Sequence, residues 1–152
     1  KLVFSIFICL CAGFVGSFFT SPAIPTWYAS LQKPFFAPPN WVFFPVWTFL
    51  FIMMGISLFL VWQKGWEDKK VKTAIYIFTG QLVLNVLWSF AFFGLRSPFL
   101  GLMEIIILWI AILVTILSFI KVSRTAAYLL IPYILWVSFA ALINFSIWRL
   151  NI

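Results

Sequence analysis

The sequence predicts an all-α membrane protein, a bundle of five transmembrane helices with an aromatic, proline-rich loop between the first two. Three observations lead there. The 152 residues are 65% hydrophobic and only 9% charged, where a soluble domain carries about a quarter charged residues. The apolar residues fall into five runs, each close to the ~20 residues that cross a bilayer as a helix. Between the first two runs, Pro34, Pro38 and Pro39 stand among Trp27, Tyr28, Phe35 and Phe36. Five spans use up nearly the whole chain, so residues 1–152 are read as one transmembrane domain.

The first span is placed at residues 2–19. A short basic start and an apolar body resemble a signal peptide, but the body is long and no small-x-small cleavage site follows, so it is read as a retained helix. Ser5, Cys9, Gly13 and Ser17 recur at four-residue steps beside Ala12 and Gly16. Such a smooth face lets another helix approach closely, one of the same chain in preference to one of a second protomer. In the loop that follows, prolines lack the backbone N–H and push their predecessors out of the helical region. A stiffened backbone carrying this many rings reads as a lid over a cavity, although Trp and Tyr also gather at headgroup depth in any membrane protein.

The second span is placed at residues 41–62, with Pro45 in its first turns, where a missing N–H does little harm. Trp47, Phe51, Met54 and Leu58 share one face. The lysine-rich link of residues 63–73 belongs in water. In the third span, residues 74–93, Gln81, Asn85, Trp88 and Phe92 share a face. Two amides in hydrocarbon require partners; they either glue helices together or line a polar spot in an aromatic pocket. The fourth span, residues 99–120, carries Glu104 a little over one turn inside, and an acid in a span is a functional candidate by default; pairing with Arg96 is one alternative. The fifth, residues 126–148, has Pro132 in its second turn, where it can kink the helix, and Pro132, Trp136, Ala140 and Asn144 fall at four-residue steps. Lysine and arginine counts favour the N-terminus and the lysine-rich link in the cytoplasm, with the aromatic loop outside.

Composition also excludes chemistry. The chain has no histidine and three acids, Glu67, Asp68 and Glu104, so neither a Ser-His-Asp triad nor a His-ligated metal site can be built. Its net charge of +7 comes from basic residues at the ends of apolar runs, where they anchor and orient helices; no nucleic-acid partner is expected.

Trp27 and Tyr28 followed by Leu31, Lys33 and Pro34, then Pro38-Pro39, then Val46-Trp47-Thr48 and Leu50 resemble the TspO/MBR family of tryptophan-rich sensory and translocator proteins. Gln81-Leu82, Leu84-Asn85 and Trp88-Ser89 match on the third span. Pro132-Tyr133, Trp136, Phe139-Ala140, Asn144, Trp148-Arg149 and Asn151 match on the fifth. The resemblance implies a five-helix bundle, often a homodimer, that binds porphyrins such as protoporphyrin IX or haem and synthetic translocator-protein ligands, with no obligatory cofactor, in a pocket under the first loop. By position, Trp27 and Tyr28 would belong to the lid with Pro39 at its base. Trp47, Phe51, Gln81, Asn85, Trp88, Trp136 and Ala140 would line the pocket. Two departures stand out: Phe36 replaces a common Trp and Phe51 a common Tyr. A proposed cholesterol motif of vertebrate members needs a tyrosine where Phe145 stands, so cholesterol recognition is not expected.

The expected function is therefore an integral membrane binding protein or sensor for a flat tetrapyrrole. The alternatives are light-dependent porphyrin breakdown, with Trp47 and Trp136 as the candidate residues, and transport of porphyrin-like amphiphiles. The expected location is a bacterial cell membrane, or the mitochondrial outer membrane in a eukaryote.

Overall fold

The computed structural model describes residues 1–152, and five of its helical stretches are long and apolar enough to cross a membrane. Helix α1 (Leu2–Ala23) is followed by the aromatic loop, which contains two 3₁₀ turns, Tyr28–Ser30 and Asn40–Val42. Then come α2 (Phe43–Trp62), α3 (Lys69–Ser89) and α4 (Pro98–Ile120). The last span is two helices, α5 (Arg124–Leu129) and α6 (Ile131–Leu150).

Three of the helix starts are written in short polar side chains. Asp68 accepts from the Lys70 N–H at 2.9 Å, Ser97 from that of Leu100 at 3.1 Å, and Ser123 from that of Ala126 at 3.2 Å. Each satisfies an N–H that a helix start leaves without a partner. The Asp68 cap begins α3 at Lys69, so the aqueous link is shorter than the expected residues 63–73, and Lys69, Lys70 and Lys72 lie in the helix. α1 runs on past residue 19 to Ala23, with Pro22 in its last turn, where one lost N–H costs a single bond. Pro132 acts as its chemistry dictates: the chain breaks at Leu130 (φ −90°, ψ −6°), because the proline offers no N–H to continue the ladder.

The helices form a closed ring. α1 packs on α2 and α3, α3 on α4, α4 on α5 and α6, and α2 on α5. The small-residue face of α1 is spent inside the chain: Ser5, Cys9 and Gly16 are buried, whereas Val3, Phe4, Phe7, Phe14 and Phe18 face outward. The tightest approach is at Gly55, where an added Cβ would lie 2.5 Å from the Cα of Ile6. At the lysine-rich end the interior is solid: Met54, Val61, Val71, Ala74, Phe78 and Phe119 are sealed, with the last two rings stacked at 5.8 Å. Ser57 Oγ donates to the Ala126 carbonyl at 2.7 Å and pins α2 to α5.

Gly55→Ala should therefore wedge α1 off α2 and destabilise the bundle by about 1–3 kcal/mol, as overpacking does. Gly80→Ala, whose Cβ would meet nothing within 4 Å, should be neutral or mildly stabilising. Thermal unfolding of both variants in the same detergent checks the contrast.

Candidate ligand-binding cavity

The aromatic loop closes the other end of the bundle. Tyr28, at the start of its first 3₁₀ turn, is 2% exposed and stands against Phe43 (6.3 Å), Phe92 (6.3 Å) and Phe93 (5.7 Å). Burial pushes its phenol up to about 12, so the roof residue stays neutral at ordinary pH and gains charge only as pH climbs toward that value. Lys33 Nζ lies 4.7 Å from the Tyr28 ring centre and donates to the Leu31 carbonyl at 3.2 Å. Trp27 packs edge-on to Phe92 at 5.4 Å. Phe36 leans on Phe139 at 6.2 Å, but Phe35 is 99% exposed and takes no part in the roof.

Under the roof, α3 ends in a π-helical turn, Phe90–Gly94, with the Leu95 N–H reaching back to the Phe90 carbonyl at 2.7 Å. The wider turn changes the helical register, and the neighbours Phe92 and Phe93 are both buried. Trp88 stacks on Phe92 at 5.5 Å and 24°.

These elements enclose a cavity of about 300 Å³ between the roof-side halves of α1, α2, α3 and α6. Trp47 and Phe51 supply its α2 wall, with their rings 5.7 Å apart, and Asn85 and Trp88 its α3 wall. α6 contributes Ala140 and Asn144. α1 contributes space: a Cβ on Gly13 would meet the Phe51 ring at 2.7 Å. On one side the lining residues are themselves exposed, Leu10 and Phe14 of α1 and Phe44 and Thr48 of α2. The cavity thus has a mouth between α1 and α2, at the face that would meet lipid.

Its two wall amides, Asn85 and Asn144, belong to two small networks. Asn85 Nδ2 donates to the Tyr133 hydroxyl at 2.8 Å, and that hydroxyl donates to Gln81 Oε1 at 2.7 Å. Trp88 Nε1 donates to Asn144 Oδ1 at 3.1 Å, and Asn144 Nδ2 donates to the Pro98 carbonyl at 2.8 Å. Asn85 Oδ1 makes no hydrogen bond within the protein and is the free acceptor among the wall amides.

Of the ten residues singled out from the sequence, Tyr28, Trp47, Phe51, Asn85, Trp88 and Ala140 line the cavity. The other four do not. Trp27 lies behind Phe92 and Phe93. Pro39 is exposed just before the second 3₁₀ turn. Gln81 is a buried partner of Tyr133, about one helical turn earlier in α3 than Asn85. Trp136 sits beside Phe43 (6.4 Å) and Phe139 (5.7 Å), its indole N–H buried without a partner. Glu104 does not pair with Arg96: both carboxyl oxygens are buried and without a hydrogen bond, and the residue is not part of the lining. Sequence reasoning missed Phe93 and the bridging hydroxyl of Tyr133. The π turn that brings in the former has no local signature, and a tyrosine in an apolar run does not announce its partners.

The TspO/MBR family profile matches residues 5–149 of the chain. A tryptophan-rich protein TspO of Chlorobaculum tepidum is 48% identical over 150 residues, covering 99% of this chain and 95% of the relative. The protein of the same description from Archaeoglobus fulgidus is 49% identical, covering 99% and 97%. The human translocator protein is 40% identical over 139 residues, covering 91% and 82%.

Tyr133→Phe removes one oxygen and strands two buried amide groups, so it should destabilise the protein by about 1–3 kcal/mol. Tyr128→Phe, at a position 59% exposed, should leave the unfolding midpoint unchanged in the same assay.

Proposed function

The chain belongs to the TspO/MBR family, and on that premise we propose that it is a multi-pass membrane binding protein for a flat, largely apolar tetrapyrrole such as protoporphyrin IX. The observation that carries this reading is the cavity: rings on three walls, a free amide acceptor among them, and a mouth facing the bilayer. Aromatic faces and edges bind a planar macrocycle by contact area and quadrupole geometry. Asn85 Oδ1 would accept from a pyrrole N–H, and the apolar lining excludes water. At about 300 Å³ the cavity lies at the small end of the ~300–1,000 Å³ typical of such sites. A macrocycle would therefore extend into the mouth between α1 and α2, displacing the Phe14 and Phe44 rings. No Cys, Met or Lys lines the cavity, the chain has no His, and burial keeps the phenol of the lining Tyr28 protonated, so it offers no phenolate ligand. Haem would be held without a strong axial bond, and the metal-free ring is the preferred form.

Light-dependent breakdown of the same ligand draws on the same contact. Trp47, and not Trp136, is the candidate indole that lines the cavity, so illumination of a porphyrin-loaded Trp47→Phe variant separates protein-assisted loss from free photobleaching.

Titration of protoporphyrin IX against tryptophan fluorescence in lipid nanodiscs tests the binding reading. Trp47→Ala should weaken binding about tenfold or more, the loss of one stacked ring and its buried area, while Trp136→Ala should stay within about twofold of the parent. Equal weakening by both variants, or by neither, would place the ligand elsewhere.

A further inference from the structure

The roof is held from the far end of the chain. Asn151, the residue that terminates α6, turns its side-chain amide onto the backbone of Gln32: Oδ1 accepts from the Gln32 N–H at 3.0 Å, and Nδ2 donates to the Gln32 carbonyl at 2.9 Å. The two residues are 119 positions apart. The same Nδ2 donates to the Ile147 carbonyl at 2.7 Å, which fixes the amide plane on its own helix. One asparagine thus imitates one rung of an antiparallel strand pair, meeting both the donor and the acceptor of a single loop residue. Gln32 follows directly on the turn that carries Tyr28, and it is flanked by Leu31, which packs under the roof, and by Lys33, whose ammonium covers the Tyr28 ring. No other side-chain hydrogen bond joins the loop of residues 24–42 to a helix beyond α1.

We infer that Asn151 is a positioning residue for ligand binding: its double hydrogen bond to Gln32 holds Tyr28 as a fixed wall of the cavity and so sets how long a ligand stays. This rests on the binding reading above for the ligand, but the latch itself does not. Because the mouth lies between α1 and α2, away from the latch, release of the roof should act on escape more than on entry. Its signature is a faster dissociation rate with a nearly unchanged association rate.

The full chain in lipid nanodiscs tests this in two arms. In the first, without ligand, hydrogen exchange is followed for the parent, Asn151→Ala and Asn151→Asp. Exchange across residues 28–36 should rise about tenfold or more in Asn151→Ala, the loss expected for two hydrogen bonds. It should rise less in Asn151→Asp, which keeps the acceptor for the Gln32 N–H and loses the donor, while α3 and α4 stay protected in both. Unchanged loop exchange in Asn151→Ala overturns the latch. Gln32→Pro attacks the same contact from the loop side without touching α6; Leu31 already has the extended backbone (φ −79°, ψ 147°) that a residue before proline adopts. It removes the Gln32 N–H and keeps the carbonyl, so loop exchange should rise about as in Asn151→Asp, and a loop as protected as the parent's would overturn the latch equally.

In the second arm, protoporphyrin IX is the probe, and its association and dissociation are read by stopped-flow fluorescence. A dissociation rate about tenfold faster in Asn151→Ala, with association within about twofold, supports the wall. Loosened exchange with unchanged dissociation overturns the link between latch and ligand, as do association and dissociation that rise in equal proportion. A parent protein that binds no protoporphyrin sinks the tetrapyrrole reading, and the exchange arm then decides the latch alone.

Discussion

Hydrocarbon offers no hydrogen-bond partner, so a polar side chain folded into this bundle turns to its own backbone, as the Thr115 hydroxyl does, or to another helix. That constraint explains which helices hold together. Asn144 takes the Trp88 N–H of α3 and gives its own to the Pro98 carbonyl at the start of α4, tying three helices at one point. Tyr133 ties α6 to α3 through two amides, Trp109 of α4 donates to Ser138 of α6 at 2.8 Å, and Ser57 joins α2 to α5. α1 stands outside this scheme. Its Ser17 and Thr20 hydroxyls turn back on its own carbonyls, and Ser5 has no partner. Packing keeps it in place, through close approach at Gly13, Gly16 and Gly55 and through ring pairs such as Phe4 with Trp62 and Phe19 with Phe90.

The division has a spatial meaning. Near the lysine-rich end, α1 and α2 touch backbone to backbone at Gly55 and leave no space. Toward the roof the contact changes to Gly13 against the Phe51 ring, and the hollow opens beside it. The one wall without hydrogen bonds to its neighbours is also one of the two that border the mouth. Across from it, the bonded helices and the π turn give the aromatic residues a fixed frame, as a preorganised site requires.

The spans were legible in the sequence because hydrocarbon imposes a length and a polarity that few residues can violate. The helix starts are set by the caps at Asp68, Ser97 and Ser123, which hydropathy does not register, and the Asp68 cap carries α3 several residues further into the lysine-rich link than hydropathy suggests. The site was legible in direction but not in depth. Gln81, Asn85 and Trp88 do share a face, yet Gln81 lies four residues, about 6 Å, below Asn85 and so falls beneath the hollow. On α6 the four-residue spacing itself misleads. Each step of four overshoots a full turn by about 40°, so Trp136 stands well to the side of Asn144, on the flank shared with Phe139. Trp27 and Pro39 belong to the loop as expected, but a ring or a proline in a loop carries no mark of whether it turns inward. Phe93 reached the interior through a change of helical register that no spacing rule anticipates.

The mouth between α1 and α2 determines the scale on which affinity has to be expressed. A guest that arrives sideways is drawn from the fraction dissolved among acyl chains, and partitioning concentrates an oily molecule there far above its aqueous level. The same intrinsic affinity will then look strong or weak according to how much lipid or detergent shares the tube. For a hollow built this way, mole fraction in the bilayer is the natural unit, and constants quoted in molar terms describe the solvent as much as the protein.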